Sequence, residues 1–345
     1  MASPRSPDPR LDAANIKSGI VAALVARADE LGVSCDAWFS GLRLRRQQFV
    51  GDAPIYLSYR QACLIIQRAM SGLPGEGHGL VLGARQNLAQ FGMIGLAMMT
   101  AADFGEALRI GVRYAPITGA MLDLSLDECN EDHVAVILRM RTHDPEIEPY
   151  LCEELVSSSL MLCRGLLGDA FRATCVDLAY PAPDYADDYA AAFDSTVRFD
   201  QPRTRVVIDR TWLARPMPAA NRETARQIVA LCRAQMPSEQ APGELVSGIE
   251  QRVRLQIADN PRLADLAAEL HLSERTLRRQ LRAAGTSFRQ LHDRIRSETA
   301  QELLRERGDS VAGVSAALGF RDPRDFRRAF KRWTGSTPRE MRPRA

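Results

Sequence analysis

Two stretches in the last hundred residues repeat one arrangement of caps, apolar pairs and arginines, and that repeat constrains the fold more than any other feature. In the first, Leu263, Leu266, Ala267 and Leu270 share one helical face. His271-Leu272 follows, and Ser273 is placed to cap a second helix whose inward positions are Leu277 and Leu281. In the second stretch Val311, Val314, Ala317 and Leu318 share a face that ends at Gly319-Phe320. Asp322 is then placed to cap a helix that opens with Pro323 and turns Phe326, Phe330 and Trp333 inward. Ser273 and Asp322 stand 49 residues apart. Each stretch is expected to fold as helix, tight turn, helix, with the small Ala267 letting the first pair cross closely. Gly285 and Gly335 end the second helix of each pair, and Phe288 to Arg305 connects the two units. A helix from Leu245 to Ala258, closed by Asp259-Asn260-Pro261, precedes them, and Pro338 starts a last short one.

The outer faces of the two capped helices carry the chemistry. They are Arg275, Arg278, Arg279 and Arg282 in the first unit, and Arg324, Asp325, Arg327 and Arg328 in the second, with Lys331 and Arg332 behind. From Glu244 to the end, 21 Arg or Lys stand against 14 Asp or Glu, a net of +7. The remaining residues carry 24 against 29, a net of −5. A basic C-terminal third on a slightly acidic body implies a polyanion partner for that third. A helix presented at a surface can enter a DNA major groove, where the arginine fork binds guanine O6 and N7 together or grips a phosphate. Asp325 has the chemistry to accept a hydrogen bond from cytosine N4. A single such helix reads as an ordinary solvated amphipathic helix; two in the same arrangement point to double-stranded DNA.

A chain of 345 residues exceeds one ordinary core, so two domains are expected. The first part mixes periods. Ile16 to Leu31 has helical spacing ended by Gly32, and Ser58 is placed to cap a helix through Met70. Residues 91 to 99 are almost wholly apolar and read as core, and Thr100-x-x-Asp103 reads as a cap opening a helix through Val112. Short apolar runs at 121–126 and 134–138 flank a polar turn, as in a β-hairpin. Glu148 to Leu167 returns to a long helix, Thr174–Tyr180, Val197–Phe199 and Arg205–Ile208 read as strands, and Asn221 to Ala234 as a helix. The expected architecture is multidomain: an α+β N-terminal domain with a small antiparallel sheet, followed by an all-α double helix-turn-helix DNA-binding domain. The boundaries are a disordered tail at 1–14, the α+β domain at 15–235, a linker at 236–244 and the helical domain at 245–345.

Residues 262–342 resemble the double helix-turn-helix domain of the AraC/XylS transcription regulators. The match runs from Ala317-Leu-Gly-Phe through Phe326-Arg-Arg-Ala-Phe-Lys to Gly335-Ser-Thr-Pro338, ending in Glu340-Met-Arg342. In the first unit it runs through Leu-Ala-Ala-Glu-Leu, Ser273-x-x-Thr-Leu-x-Arg-x-Leu and Gly-Thr-Ser-Phe288. Asp325 departs from the neutral or aromatic residue often found there, which bears on the preferred base. Gly92-x-x-Gly95-x-Ala-Met-Met, Val176-Asp-Leu-Ala-Tyr-Pro-Ala-Pro and Trp212-Leu-x-Arg-Pro-x-Pro218 resemble the arabinose-binding-like N-terminal domain of a subset of that family. The resemblance implies a DNA-binding transcription regulator, expected to be an activator, whose two recognition helices enter successive major-groove segments. It implies an N-terminal domain that senses a small-molecule effector or supports a homodimer, and RNA polymerase as a further partner.

No enzyme is expected. The seven cysteines lack CxxC spacing and sit mostly among apolar neighbours, as reduced buried thiols do. The rival reading, an enzyme carrying an appended DNA-binding module, needs an activated cysteine in the N-terminal part. His78, His133 and His143 have no metal-ligand spacing, so no metal and no cofactor is expected. Gly75-Glu-Gly77-His-Gly79 follows no strand and lacks a P-loop lysine, so it reads as a loop or helix start. Asp184, Asp187 and Asp188 read as a solvated helix start. No apolar run reaches membrane-spanning length and the N-terminus lacks a signal core, so the expected location is cytoplasmic, nucleoid-associated when bound to DNA, with no membrane partner.

Overall fold

The computed structural model describes residues 9–50, 55–236, 243–270, 272–305 and 309–341. The linker expected at 236–244 falls largely outside the described residues, as do residues 1–8, His271 and Arg342. The chain divides into two units, Met1–Ala241 and Pro242–Ala345.

In the first unit α1 (Pro9–Asp12) leads into β1 (Ala14–Lys17), which is followed by α2 (Gly19–Glu30). This corrects two expectations: residues 9–14 are structured, and Ile16 is in a strand rather than the start of a helix. Pairing decides it, because β1 lies antiparallel to β2 (Tyr56–Ser58), and Ala13, Ala14 and Ile16 are buried. Ser58 then caps α3 (Tyr59–Gly72) through a capping box with Gln61. Next come α4 (His78–Ala84), α5 (Gly92–Met99) and α6 (Phe104–Tyr114). The cap of α6 is Asp103, which accepts from the Glu106 amide at 2.7 Å. Thr100 closes α5 instead, donating its hydroxyl to the Leu96 carbonyl at 2.9 Å.

The hairpin forms as β3 (Leu122–Asp127) and β4 (His133–Met140), followed by α7 (Glu148–Leu167) and β5 (Cys175–Asp177). Then come α8 (Ala186–Phe193), β6 (Thr196–Arg198), β7 (Thr204–Asp209) and α9 (Arg222–Gln235). The sheet order is β3-β4-β7-β5-β6. It is mixed rather than antiparallel throughout, since β5 and β6 run parallel with α8 as their crossover. β5 is also shorter than the expected strand. Alternation along β4 sends Val134, Val136 and Leu138 into the main core and Ala135 and Ile137 to the opposite face beside Val207. Asp177 pins the three-residue strands. Burial opposes its charge, but Arg198 and Arg205, each at 2.7 Å, outweigh that and hold its carboxyl below the usual range.

α4 lies against α7 with little space between backbones. A Cβ on Gly83 would stand 2.5 Å from the Glu154 carbonyl oxygen, and one on Gly79 2.5 Å from that of Tyr150. Only glycine permits this approach. It seats the carboxylate of Glu153 under α4, where Tyr185 donates at 2.6 Å, Tyr189 donates as well, and the Gly79 amide donates at 3.2 Å.

The second unit is helical: α10 (Glu244–Leu255), α11 (Leu263–Glu269), α12 (Glu274–Ala283), α13 (Phe288–Arg305), α14 (Val311–Ala317), α15 (Pro323–Thr334) and α16 (Pro338–Met341). Two small cores flank α13. Its N-terminal half packs Leu291 and Ile295 with Leu266, Leu277 and Leu281; its C-terminal half packs Ala300 and Leu304 with Val314, Phe326 and Phe330. Among the described residues neither core holds more than a dozen buried side chains, so each helix pair depends on α13.

Candidate nucleic-acid interface

Each of the two arginine-faced helices, α12 and α15, is built from its cap inward. The Ser273 hydroxyl accepts from the Thr276 amide at 3.2 Å, and Asp322 accepts from the Arg324 amide at 2.8 Å. The turn before each cap closes through one recurring bond, from the Leu272 amide to the Ala267 carbonyl at 2.8 Å and from Phe320 to Ser315 at 3.0 Å. Both span five residues, so the two turns share a geometry. The second connection is one residue longer: four residues separate α11 from α12, and five separate α14 from α15.

Inward positions are filled as expected. Leu277, Leu281, Phe326 and Phe330 are at most 1% exposed, while Trp333 is half-buried at the edge of its core. With 100° per residue, burying Leu277 and Leu281 turns Arg275, Arg278, Arg279 and Arg282 outward, and all four are exposed. Burying Phe326 and Phe330 does the same for Arg324, Asp325, Arg327 and Arg328, with Lys331 and Arg332 exposed beside them. The eight predicted residues thus form two surface faces, one on α12 and one on α15.

Sequence reasoning missed how these faces are held. Arg278 pairs with Glu274 at 3.0 Å, and Arg328 with Asp325 at 2.6 Å. Asp325 is therefore a partner of Arg328 in the free protein as well as a candidate base acceptor. Among the described residues no ion pair engages Arg275, Arg279, Arg282, Arg324 or Arg327. The supports lie on α10 and α13. Asp293 receives Arg332 from α15 at 3.4 Å and Arg289 from its own helix at 4.0 Å. Glu250 and Glu298 receive Arg294 and Arg254, and Arg252 reaches Glu269 at 3.3 Å, tying α10 to α13 and α11. Arg296 is buried within α13; it donates to the Leu318 carbonyl at 2.5 Å and lies over the Phe320 ring. The i, i+4 spacing of Glu274 and Arg278 was a readable signal. The long-range pairs were not, since spacing along the chain says nothing about them.

Elsewhere the chemistry is sparse. Among the described residues no three metal-ligating side chains gather. Burial pushes Cys63 and Cys163 up to about 12 and raises Cys35, Cys152, Cys175 and Cys232 as well, so these thiols stay protonated near neutrality. No helix among the described residues is long and apolar enough to cross a membrane.

Comparison with known proteins agrees with this reading. Residues 32–217 match the family described as the arabinose-binding domain of AraC transcription regulator, N-term, and residues 266–344 match a helix-turn-helix domain family. The ornithine utilization regulator of Pseudomonas aeruginosa is 30% identical over 326 residues, covering 93% of this chain and 94% of that one. The HTH-type transcriptional regulator VqsM of the same organism is 27% identical, over 81% of this chain and 86% of that one. The solved structure of transcriptional regulator CdpR from Pseudomonas aeruginosa is similar with a TM-score of 0.47 at 23% identity, over 92% of this chain and 96% of that one. With one family match over more than half its length, a second over the helical unit, and a relative aligned along nearly all of it, the chain belongs to the AraC family of DNA-binding transcription regulators.

Proposed function

We propose that α12 and α15 are the two recognition helices, that they enter successive major-groove segments on one face of an operator, and that the protein activates transcription there with RNA polymerase. The observation that carries the reading is the pair of exposed arginine faces standing opposite the buried pairs Leu277–Leu281 and Phe326–Phe330. Phosphate contacts from these arginines position the protein, and a few base contacts specify the site. Arg275, Arg279, Arg282, Arg324 and Arg327 supply mobile cations for phosphate; Arg278 and Arg328, held by Glu274 and Asp325, supply oriented forks for bases.

The unit up to residue 235 is the sensor or dimerisation domain, joined through the linker at 236–244 to the reader, and the protein acts as a regulator in the cytoplasm rather than as a catalyst. A sensor role is supported by the two cavities of that unit, of about 90 and 360 Å³, and the absence of thiol catalysis by the burial that raises Cys35, Cys63, Cys152, Cys163, Cys175 and Cys232. One monomer already carries both reading helices, so a homodimer would serve regulation rather than basic recognition. Footprinting on a duplex from the protein's own upstream region tests the groove assignment. The expected result is protection of two major-groove segments about one helical turn apart on one DNA face. Protection of a single segment would leave one helix without a DNA role.

A further inference from the structure

Two cavities of the N-terminal unit meet at α7. The first, of about 90 Å³, is bounded by α5, α6, α7 and the sheet, with Ile94, Met98, Val136, Leu138 and Leu160 in its walls. It is almost purely apolar, the kind of space that stays dry until hydrocarbon fills it. The second, of about 360 Å³, lies between α2, α4, α7 and the turn at 118–122, and its walls include Glu30, Arg85, Gln86 and Glu154. Phe91, Thr118 and Leu155 line both, so the two spaces share walls.

The charges of the larger cavity are unequally matched. Glu30 is satisfied, because Arg85 reaches both its oxygens at 2.6 and 2.9 Å and Arg27 reaches it at 2.9 Å. Glu154 is not. Its Oε1 accepts from the Gln86 amide nitrogen at 2.5 Å, and among the described residues no cation lies within ion-pair distance of it. Burial pushes its carboxyl up to about 7. A carboxylate inside a protein without a counter-charge is costly, and an incoming cation would relieve that cost.

We propose that these neighbouring spaces open into one another beside Leu155 and form a binding site for a small amphiphilic amine, its ammonium group paired with Glu154 and its hydrocarbon part lying past Leu155 into the apolar cavity. The proposal rests on the reading of this unit as a sensor and names the chemistry sensed. The two ends of the site do different work. Glu154 selects charge and rejects carboxylates, since two like charges in that space repel. The walls around Ile94 and Leu138 select for hydrocarbon, since each methylene taken out of water there strengthens binding.

Isothermal titration of the full chain at pH 8 tests this with n-hexylamine, methylamine and hexanoate as probes, repeated on Glu154→Gln. That variant keeps the Gln86 contact and removes the half-buried charge, so its melting temperature should not fall. The expected result is that n-hexylamine binds about tenfold or more tighter than either other probe, and that Glu154→Gln erases most of its advantage. The proposal is overturned if n-hexylamine does not bind, if hexanoate or methylamine binds as well, or if Glu154→Gln leaves n-hexylamine affinity within about twofold of the original. A parallel measurement of operator affinity with and without n-hexylamine separates the two readings. Binding to the cavity with unchanged operator affinity would sink the sensor role and keep the site; failure to bind would sink the site and leave the DNA reading standing.

Discussion

The Arg296 guanidinium lies 4.0 Å from the centroid of the Phe320 ring while donating to the Leu318 carbonyl, so one side chain of α13 grips the turn that leads into α15. Replacing it uncovers a buried carbonyl and empties the space over the ring. Arg296→Ala is expected to cost about 2–4 kcal/mol of stability in the helical unit, from a lost charged hydrogen bond and a desolvated cation–π contact. Thermal denaturation of the full chain checks the cost. Arg296→Lys keeps the charge without the fork and should recover only part of it.

Gly319 turns the same corner at φ +69°, and a Cβ there would sit 2.2 Å from the Ala258 carbonyl oxygen. Gly335, at φ +77°, has nothing within 4 Å of such a Cβ. Both substitutions to Ala meet backbone strain of about 1–2 kcal/mol, but only Gly319→Ala adds a clash with main chain. Gly319→Ala is therefore expected to destabilise clearly more than Gly335→Ala. Equal melting temperatures would mean that the corner after α14 and the turn at Ile257–Asp259 part without cost.

Arg278→Ala and Arg328→Ala are each expected to weaken operator binding by about 1–3 kcal/mol if the side chain makes a bidentate base contact. Folding should barely change, because exposed ion pairs such as those with Glu274 and Asp325 are worth about 0–1 kcal/mol. Anisotropy titrations beside melting curves separate the two effects. Unchanged operator affinity in both variants would remove α12 and α15 from base recognition.

The Glu154 carboxyl is pushed by burial to about 7 from an ordinary value of 4.5, which ties stability to pH. A group that holds its proton more tightly when folded stabilises the fold below its unfolded pKa, and that contribution is lost as pH rises through the folded value. The loss from this residue falls between about pH 4.5 and pH 7 and is on the order of 3 kcal/mol. Glu153 is raised as well, so the test compares proteins rather than pH values alone. Glu154→Gln should gain stability relative to the original chain on going from pH 5 to pH 8. A constant difference across that range would show that Glu154 is not desolvated.

The helical unit was legible because its signals are local. Ser273, Asp322, Pro323 and Gly335 mark ends, and the i, i+4 pairs of Leu and Phe mark the buried side, so the arginine faces followed from geometry alone. The N-terminal unit was harder because its decisive interactions are distant. Ile16 has helical spacing but is claimed by pairing with Leu57. Thr100 and Asp103 are both good caps, and only the fold selects Asp103. Three-residue strands such as β5 and β6 carry too little pattern to reveal a parallel pair. The apolar run at 91–99 packs Ile94, Ala97 and Met98 into the core and leaves Leu96 exposed, yet Phe91, Ile94 and Met98 also face a void. Hydrophobicity reports which side chains avoid water, not whether they fill the space they enclose.

The most direct test of the account is fluorescence anisotropy of the full chain on a duplex from its own upstream region, against a scrambled duplex and over a salt series. Three proteins should be compared: the original chain, Arg279→Ala in α12 and Arg327→Ala in α15. Both arginines are exposed and free of ion pairs among the described residues, so neither change should disturb folding. The account predicts preference for the upstream duplex, a steep fall in affinity with salt, and a shallower salt slope, by about one, in each variant. A salt slope identical in all three proteins would contradict the placement of α12 and α15 on DNA.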